Sequence, residues 1–340
     1  MKGRLIALDH LNGREAAALM VDGRLEDLLV DTRPRLGAIF AARIERALKG
    51  QGGAMVSWPG GSGFLRRAKG LTAGDVIRVQ VSGFAEPCKA PPVTDRLLFK
   101  SRYAIVTPGA PGLNISRAIK DDDRRDALQG LAVDAMPEGD HGLILRSAAA
   151  EASDADITED IAAMVTACED VLAAELAPGP LTPGDGPHLV AWREWTDPAQ
   201  VETADGSFED HGILEAIDGV LTPEVPLGLS SLFIEPTRAL VSVDVNTGGD
   251  LSPAAALKAN LAAIAELPRQ LRLRGLGGQV TVDFAPVLKR DRRQIETALR
   301  AAFRRDPVDT EVIGWTPLGH MELKRKRERP ALSGLVEAAP

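Results

Sequence analysis

At 340 residues the chain is long enough for two or more domains. Its 44% apolar and 26% charged composition excludes wholesale disorder and a chain embedded in a membrane. The net charge of −8 works against nucleic acid, since phosphate binding rests on Lys and Arg displacing counterions. Distribution qualifies that: LKRDRRQ, RAAFRRD and LKRKRER fall between positions 288 and 329, while acidic residues gather at 121–123, 150–170 and 194–218. The basic stretches fit a phosphate backbone, and equally a solvated helix face.

No run approaches the roughly 20 apolar residues of a membrane span. MKGRLIALDH has no long apolar core of a signal peptide, so a cytoplasmic protein is expected. Cys88 and Cys168 lie far apart and outside any CxxC spacing, which predicts two reduced, buried thiols rather than a disulfide or zinc site.

In chain order, RLIALDH and AAALMVDGRLEDLLVD, separated by Asn-Gly and Asp-Gly turns, predict strands of a small sheet over 1–33. From 34 to 105 short alternating segments broken by GQGG and PGGSG have the rhythm of a compact OB-like barrel. There Trp58 and Phe64 flank a glycine-rich turn, and Arg66, Arg67 and Lys69 follow. This suits base stacking with backbone contact, and also a barrel with one core aromatic and solubilising cations. An amphipathic helix is predicted over 153–176, and the Pro/Gly-dense 177–187 has the character of a linker. SSLFIEP and ALVSVDVN predict a hairpin. A helix capped by Ser252 follows, which Pro268 should kink or split, and QVTVDFAP predicts the next strand. Strand, helix, strand implies a parallel or mixed sheet.

The two strands end alike, one in Val243-Asp244-Val245-Asn246 and the other in Val282-Asp283. Alternation puts Ser242, Asp244 and Asn246 on one face of the first, and Thr281 and Asp283 on one face of the second. If the strands are neighbours, the carboxylates converge at the sheet's C-terminal edge and repel unless a cation lies between them. Mg2+ is the natural ion, since it takes one or two carboxylates, keeps waters and suits phosphates. Helix caps or surface ion pairs are the competing explanation of such aspartates.

The run from Asn260-Leu261 through PRQLRLRGLGGQVTVDFAP, RRQIETALRAAFRRD and PLGHMELKRKRERPAL resembles the catalytic region of the ribonuclease E/G family. The resemblance implies a multi-subdomain α+β fold: an OB-fold RNA-binding barrel (34–105) inserted in a ribonuclease H-like sheet (1–33, with a reduced remainder and linker at 177–220). It also implies a 5′-phosphate sensor region (106–176) and a DNase I-like catalytic subdomain (221–340). It implies a magnesium-dependent endonuclease of single-stranded RNA in processing or decay. Asp244 and Asp283 would hold Mg2+ and Asn246 would assist at the scissile phosphate. Phe64 and Lys89 would grip RNA, and Ile105, Arg117, Arg146 and Ser147 would sense a 5′-monophosphate.

Departures from the family pattern are specific. Gly248-Gly249-Asp250 stands where a longer basic loop is usual, Met55 where a second barrel aromatic is usual, and Ser147 where threonine is usual. The zinc-sharing cysteine pair is missing, so any homodimer would use other contacts. His10, His141, His188, His211 and His320 show no metal-ligand spacing, and Glu322 is expected to pair with neighbouring arginines. A catalytically weak or inactive RNA-binding member of the family is the alternative, and a small-molecule phosphohydrolase a third reading.

Overall fold

Asn12-Gly13 and Asp22-Gly23 all have left-handed backbone, with φ of 50°, 73°, 50° and 78°. That geometry of a two-residue hairpin turn matches the twist of its flanking strands. It links β1 (Arg4–Leu11), β2 (Arg14–Val21) and β3 (Arg24–Val30) into an antiparallel meander. The computed structural model describes residues 3–48, 52–68, 70–86, 89–136 and 139–336; Lys69 and Cys88 lie outside these. The chain forms two compact units, one from residues through Thr32 together with those from Pro198 onward, the other from Arg33–Asp197.

In the second unit, β4 (Ile39–Leu48), β5 (Gly53–Trp58), β6 (Gly61–Leu65), β7 (Val76–Val81) and β8 (Pro92–Thr94) pair in the order β4-β5-β6-β8-β7. β7 pairs back onto β4, closing a five-stranded, OB-like barrel. Inward Ile44, Val56, Leu65, Val79 and Val93 fill it with Trp58, whose ring stacks on Phe40 at 4.2 Å. Next come β9 (Phe99–Lys100), β10 (Ala104–Thr107), β11 (Gly112–Ile115), α1 (Asp122–Ala135) and β12 (Gly142–Leu145), whose strands form a sheet of order β11-β12-β10-β9.

The predicted amphipathic helix is α2 (Asp154–Ala173), capped by the Ser153 hydroxyl accepting the Asp156 N–H. Its Ile157, Ile161, Val165, Cys168 and Val171 recur every three or four residues and are buried on that sheet. Burial, with the Glu169 charge, pushes the Cys168 thiol up to about 11, so it stays protonated. The stretch 177–187 contains β13 (Gly179–Thr182), antiparallel to the start of β4, before α3 (Pro187–Glu194).

In the first unit, β14 (Gln200–Glu202) lies parallel to β1, and α4 (Ser207–Asp210) and α5 (Ile213–Leu221) bury Phe208, Ile213 and Ile217 with Leu5 and Leu28. There follow β15 (Glu224–Leu227), β16 (Ser230–Pro236), β17 (Val241–Asn246), α6 (Pro253–Leu273), β18 (Gly278–Asp283), α7 (Arg292–Arg305), β19 (Thr310–Trp315), β20 (Met321–Arg325) and α8 (Leu332–Val336). The six strands are ordered β15-β16-β17-β18-β20-β19, a mixed sheet in which β17 and β18 are parallel. Val241, Val243, Val245, Val280 and Val282 pack with Ala263, Ile264, Leu267 and Leu271 of α6 and Ile295, Leu299 and Phe303 of α7.

Pro268 neither ends nor divides α6. It forfeits one backbone hydrogen bond, but Ile264, Leu267 and Leu271 on both sides of it are buried, and packing outweighs the local penalty.

The basic tail has a role its composition did not reveal. Arg325, 1% exposed, ion-pairs with fully buried Asp306 at 2.6 Å, and Arg272 reaches the same carboxylate at 2.7 Å. Arg329 pairs with Asp27 at 3.1 Å. Two arginines of LKRKRER are thus paired with carboxylates of the same unit. Among the described residues no helix is long and apolar enough to cross a membrane.

Candidate functional site

The registration of β17 against β18 builds the site. Val243 stands opposite Val282 and Asp244 opposite Asp283. Neighbouring strands lie about 4.8 Å apart, so residues in register carry adjacent side chains. The valines turn into the helix-covered face, and Ser242, Asp244, Asn246 and Asp283 turn to the exposed one. The Asn246 amide Nδ2 donates to Asp244 Oδ2 at 2.7 Å.

Among the described residues, neither aspartate has a Lys or Arg within ion-pair distance; the one basic group there is His320, with Nε2 3.7 Å from Asp283 Oδ2. Two adjacent exposed carboxylates without a cationic partner form a donor set for a hard cation.

Glu322 corrects an expectation. It forms no ion pair with an arginine among the described residues; it stands opposite Thr281, on the exposed face shared with Asp283. Strand alternation is the reason, since Met321, Leu323 and Arg325 point into the core and Glu322 and Lys324 point out.

A match to the model of the Ribonuclease E/G family covers residues 99–182 and 192–328. The chain belongs to the ribonuclease E/G family. It is 28% identical to Ribonuclease E of Nostoc sp. over 95% of this chain and 55% of that protein. To Ribonuclease E of Escherichia coli it is 28% identical, over 77% of this chain and 29% of that protein. To Ribonuclease G of Salmonella typhimurium it is 26% identical, over 77% of this chain and 62% of that protein. The chain therefore spans from under a third to under two thirds of these relatives' length.

Of the residues the ribonuclease E/G resemblance singles out in the barrel, Phe64 lies half-buried on β6, beside Met55 of β5. Lys89 is exposed and pairs with Glu86; it lies two residues before Pro91, whose carbonyl accepts the Phe64 N–H at 2.8 Å. Trp58, by contrast, is a core residue of the barrel.

Ile105 lies on β10, Arg117 just after β11, and Arg146 and Ser147 just after β12. β11 and β12 are parallel and in register, which brings the Arg117 and Arg146 segments side by side. The Arg146 guanidinium is already engaged: it donates to the Ser101 carbonyl at 2.6 Å and to Glu194 Oε2 at 2.6 Å.

Glu194 also meets Lys100 at 2.8 Å and Arg193 at 2.8 Å. Burial pushes its carboxyl up, but the Lys100 hydrogen bond and charge, with Arg146 and Arg193, outweigh this and hold it at about 2. Nothing in the local pattern AWREW announces this partnership.

A further group, Asp9, His10 and Asp205, has ligand atoms within 4.8 Å of one another. Asp9 is taken up by structure there: it accepts the Phe208 N–H at 3.0 Å and the Ser207 hydroxyl at 3.3 Å, fixing the start of α4.

Proposed function

We propose that the chain is an endoribonuclease that hydrolyses internal phosphodiesters of single-stranded RNA, with Asp244 and Asp283 holding Mg2+. The observation that carries this is the in-register pair of exposed aspartates toward the end of two parallel strands, with no Lys or Arg in ion-pair distance among the described residues. It is joined by membership of the ribonuclease E/G family.

A bound ion would activate water and offset charge on the scissile phosphate. Attack on phosphorus breaks its bond to the 3′ oxygen, leaving a 3′-hydroxyl and a 5′-phosphate. Asn246, tethered to Asp244, orients a phosphate oxygen or a water at the ion. Phe64 stacks a base and Lys89 meets the backbone on the barrel. The reading carries with it the division into ribonuclease H-like, OB-fold and DNase I-like subdomains.

Ile105, Arg117, Arg146 and Ser147 form a 5′-monophosphate sensor in this reading. Because Glu194 already pairs with Arg146, an incoming phosphate competes with that carboxylate.

Cleavage of an internally labelled, A/U-rich RNA bearing a 5′-monophosphate, with magnesium and with chelator, tests the reading. Magnesium-dependent cutting lost in Asp244→Asn and in Asp283→Asn supports it. RNA bound but never cut would leave an RNA-binding member of the family, a reading favoured by the short loop after Asn246, which has no Lys or Arg.

A further inference from the structure

Four connections meet at the edge of the six-stranded sheet where β17 ends at Asn246, two residues after Asp244, and β18 ends at Asp283. β17 and β18 both terminate there. Because Ser231 is opposite Asn246 and Met321 opposite Val282, the β15–β16 and β19–β20 turns lie at the same edge. Each connection carries an exposed leucine: Leu229 at 92%, Leu251 at 86%, Leu288 at 41% and Leu318 at 86%. Among the described residues from 222 onward the exposed large apolar side chains are these four and Ile313, so four of the five gather on one edge.

The placement is built into the backbone. Gly248, with φ of +73°, brings the β17–α6 loop so close to the β15–β16 turn that a Cβ there would stand 2.2 Å from the Leu229 carbonyl oxygen. The β19–β20 turn is closed by the Gly319 N–H donating to Thr316 at 3.0 Å, and next in sequence is His320, the neighbour of Asp283. Lys289 and Arg290, both exposed, follow Leu288 on the β18–α7 loop.

We propose that these leucines form an apolar crown that seats the nucleobases flanking the scissile phosphate, while Lys289 and Arg290 meet the neighbouring backbone. The proposal rests on the endoribonuclease reading of Asp244 and Asp283. An apolar rim around two carboxylates cannot attract phosphates, yet it can receive the faces of bases, and the cations stand beside it on one loop. It also selects strandedness at the reacting centre. The bases of a duplex are stacked and paired inside the helix, whereas those of a single strand can be splayed against side chains.

The test replaces Leu229, Leu251 and Leu318 together with serine. All three are exposed, so the variant should fold and melt as the wild type does. Binding of a fluorescent single-stranded RNA is read by anisotropy in chelator, where nothing can be cut. The triple variant should bind about tenfold more weakly, as expected for partial burial of three leucines. For the same RNA with a block of abasic residues, wild type and variant should bind alike.

With magnesium, the variant should raise KM for the intact RNA and leave kcat near that of the wild type. Unchanged affinity, or an equal loss on abasic RNA, overturns the crown. So does a variant that turns a dimer into a monomer in sedimentation without RNA and loses no RNA affinity, since the leucines would then be a surface for a second copy of this chain. If wild type never cuts but the leucine-dependent, base-dependent binding holds, the endonuclease reading fails and the leucines stand as a base-binding site without a scissile phosphate.

Discussion

Asp244 and Asp283 are directly opposed across a parallel strand pair, each exposed and neither within reach of a lysine or arginine among the described residues. In water such an arrangement costs on the order of 1 kcal/mol in repulsion, and a divalent cation reverses its sign.

Magnesium should therefore raise the wild-type melting temperature by about 2–6 °C at saturating concentrations. Asp244→Asn and Asp283→Asn should each melt at or above the metal-free wild type, lose the magnesium-dependent shift, and cut RNA about a thousandfold more slowly or worse. Differential scanning fluorimetry with and without the ion, beside the cleavage assay, checks this. A magnesium shift retained in both variants would place the ion elsewhere.

Asp306 should matter for stability and not for chemistry. Its buried carboxylate is shared by Arg272 and Arg325, and Arg272 also meets Glu26 at 2.6 Å. Removing it leaves the buried Arg325 guanidinium without a carboxylate among the described residues, while Arg272 keeps Glu26 and Asp27. Asp306→Ala should lose about 3–5 kcal/mol in urea unfolding followed by circular dichroism. Arg325→Lys should lose less, because the charge survives while the fork geometry does not.

Glu194 makes the stability of its unit pH-dependent in a stated direction. Its folded carboxyl lies at about 2, below the ordinary 4.5, so its contribution is complete above that ordinary value and fades as pH falls through 4.5 toward 2. Partial exposure limits the contribution to about 2 kcal/mol. Glu194→Gln should flatten the melting temperature between those pH values. By releasing Arg146, it should also increase the preference for 5′-monophosphate over 5′-hydroxyl RNA severalfold. An unaltered preference would make Arg146 a fixed strut.

Gly248→Ala should damage the site more than the fold. The left-handed backbone and the Leu229 carbonyl both oppose a Cβ, so the loop after Asn246 must move. A loss of about 1–3 kcal/mol in stability is expected, with a larger fall in cleavage than that loss explains. Urea unfolding and cleavage rates of one preparation distinguish the two effects.

Local physics made a good part of this protein legible in its sequence. Asn-Gly and Asp-Gly pairs specify hairpins because few other residues tolerate left-handed backbone, and period-two valines put Asp244 and Asn246 on one face whatever surrounds them. The cap at Ser153 and the spacing of Ile157, Ile161 and Val165 define α2 in the same way.

Tertiary structure alone decided what depends on partners distant in the chain. Whether Asp244 meets Asp283 is set by strand register, whether Arg325 faces solvent by a carboxylate 19 positions earlier, and whether Arg146 is free by Glu194. The gathering of Leu229, Leu251, Leu288 and Leu318 at one edge is likewise invisible in sequence, because each is an isolated apolar residue in its own loop. Hydrophobic periodicity reports the face an element buries. It carries no information on which loops, far apart along the chain, the sheet brings to the same end.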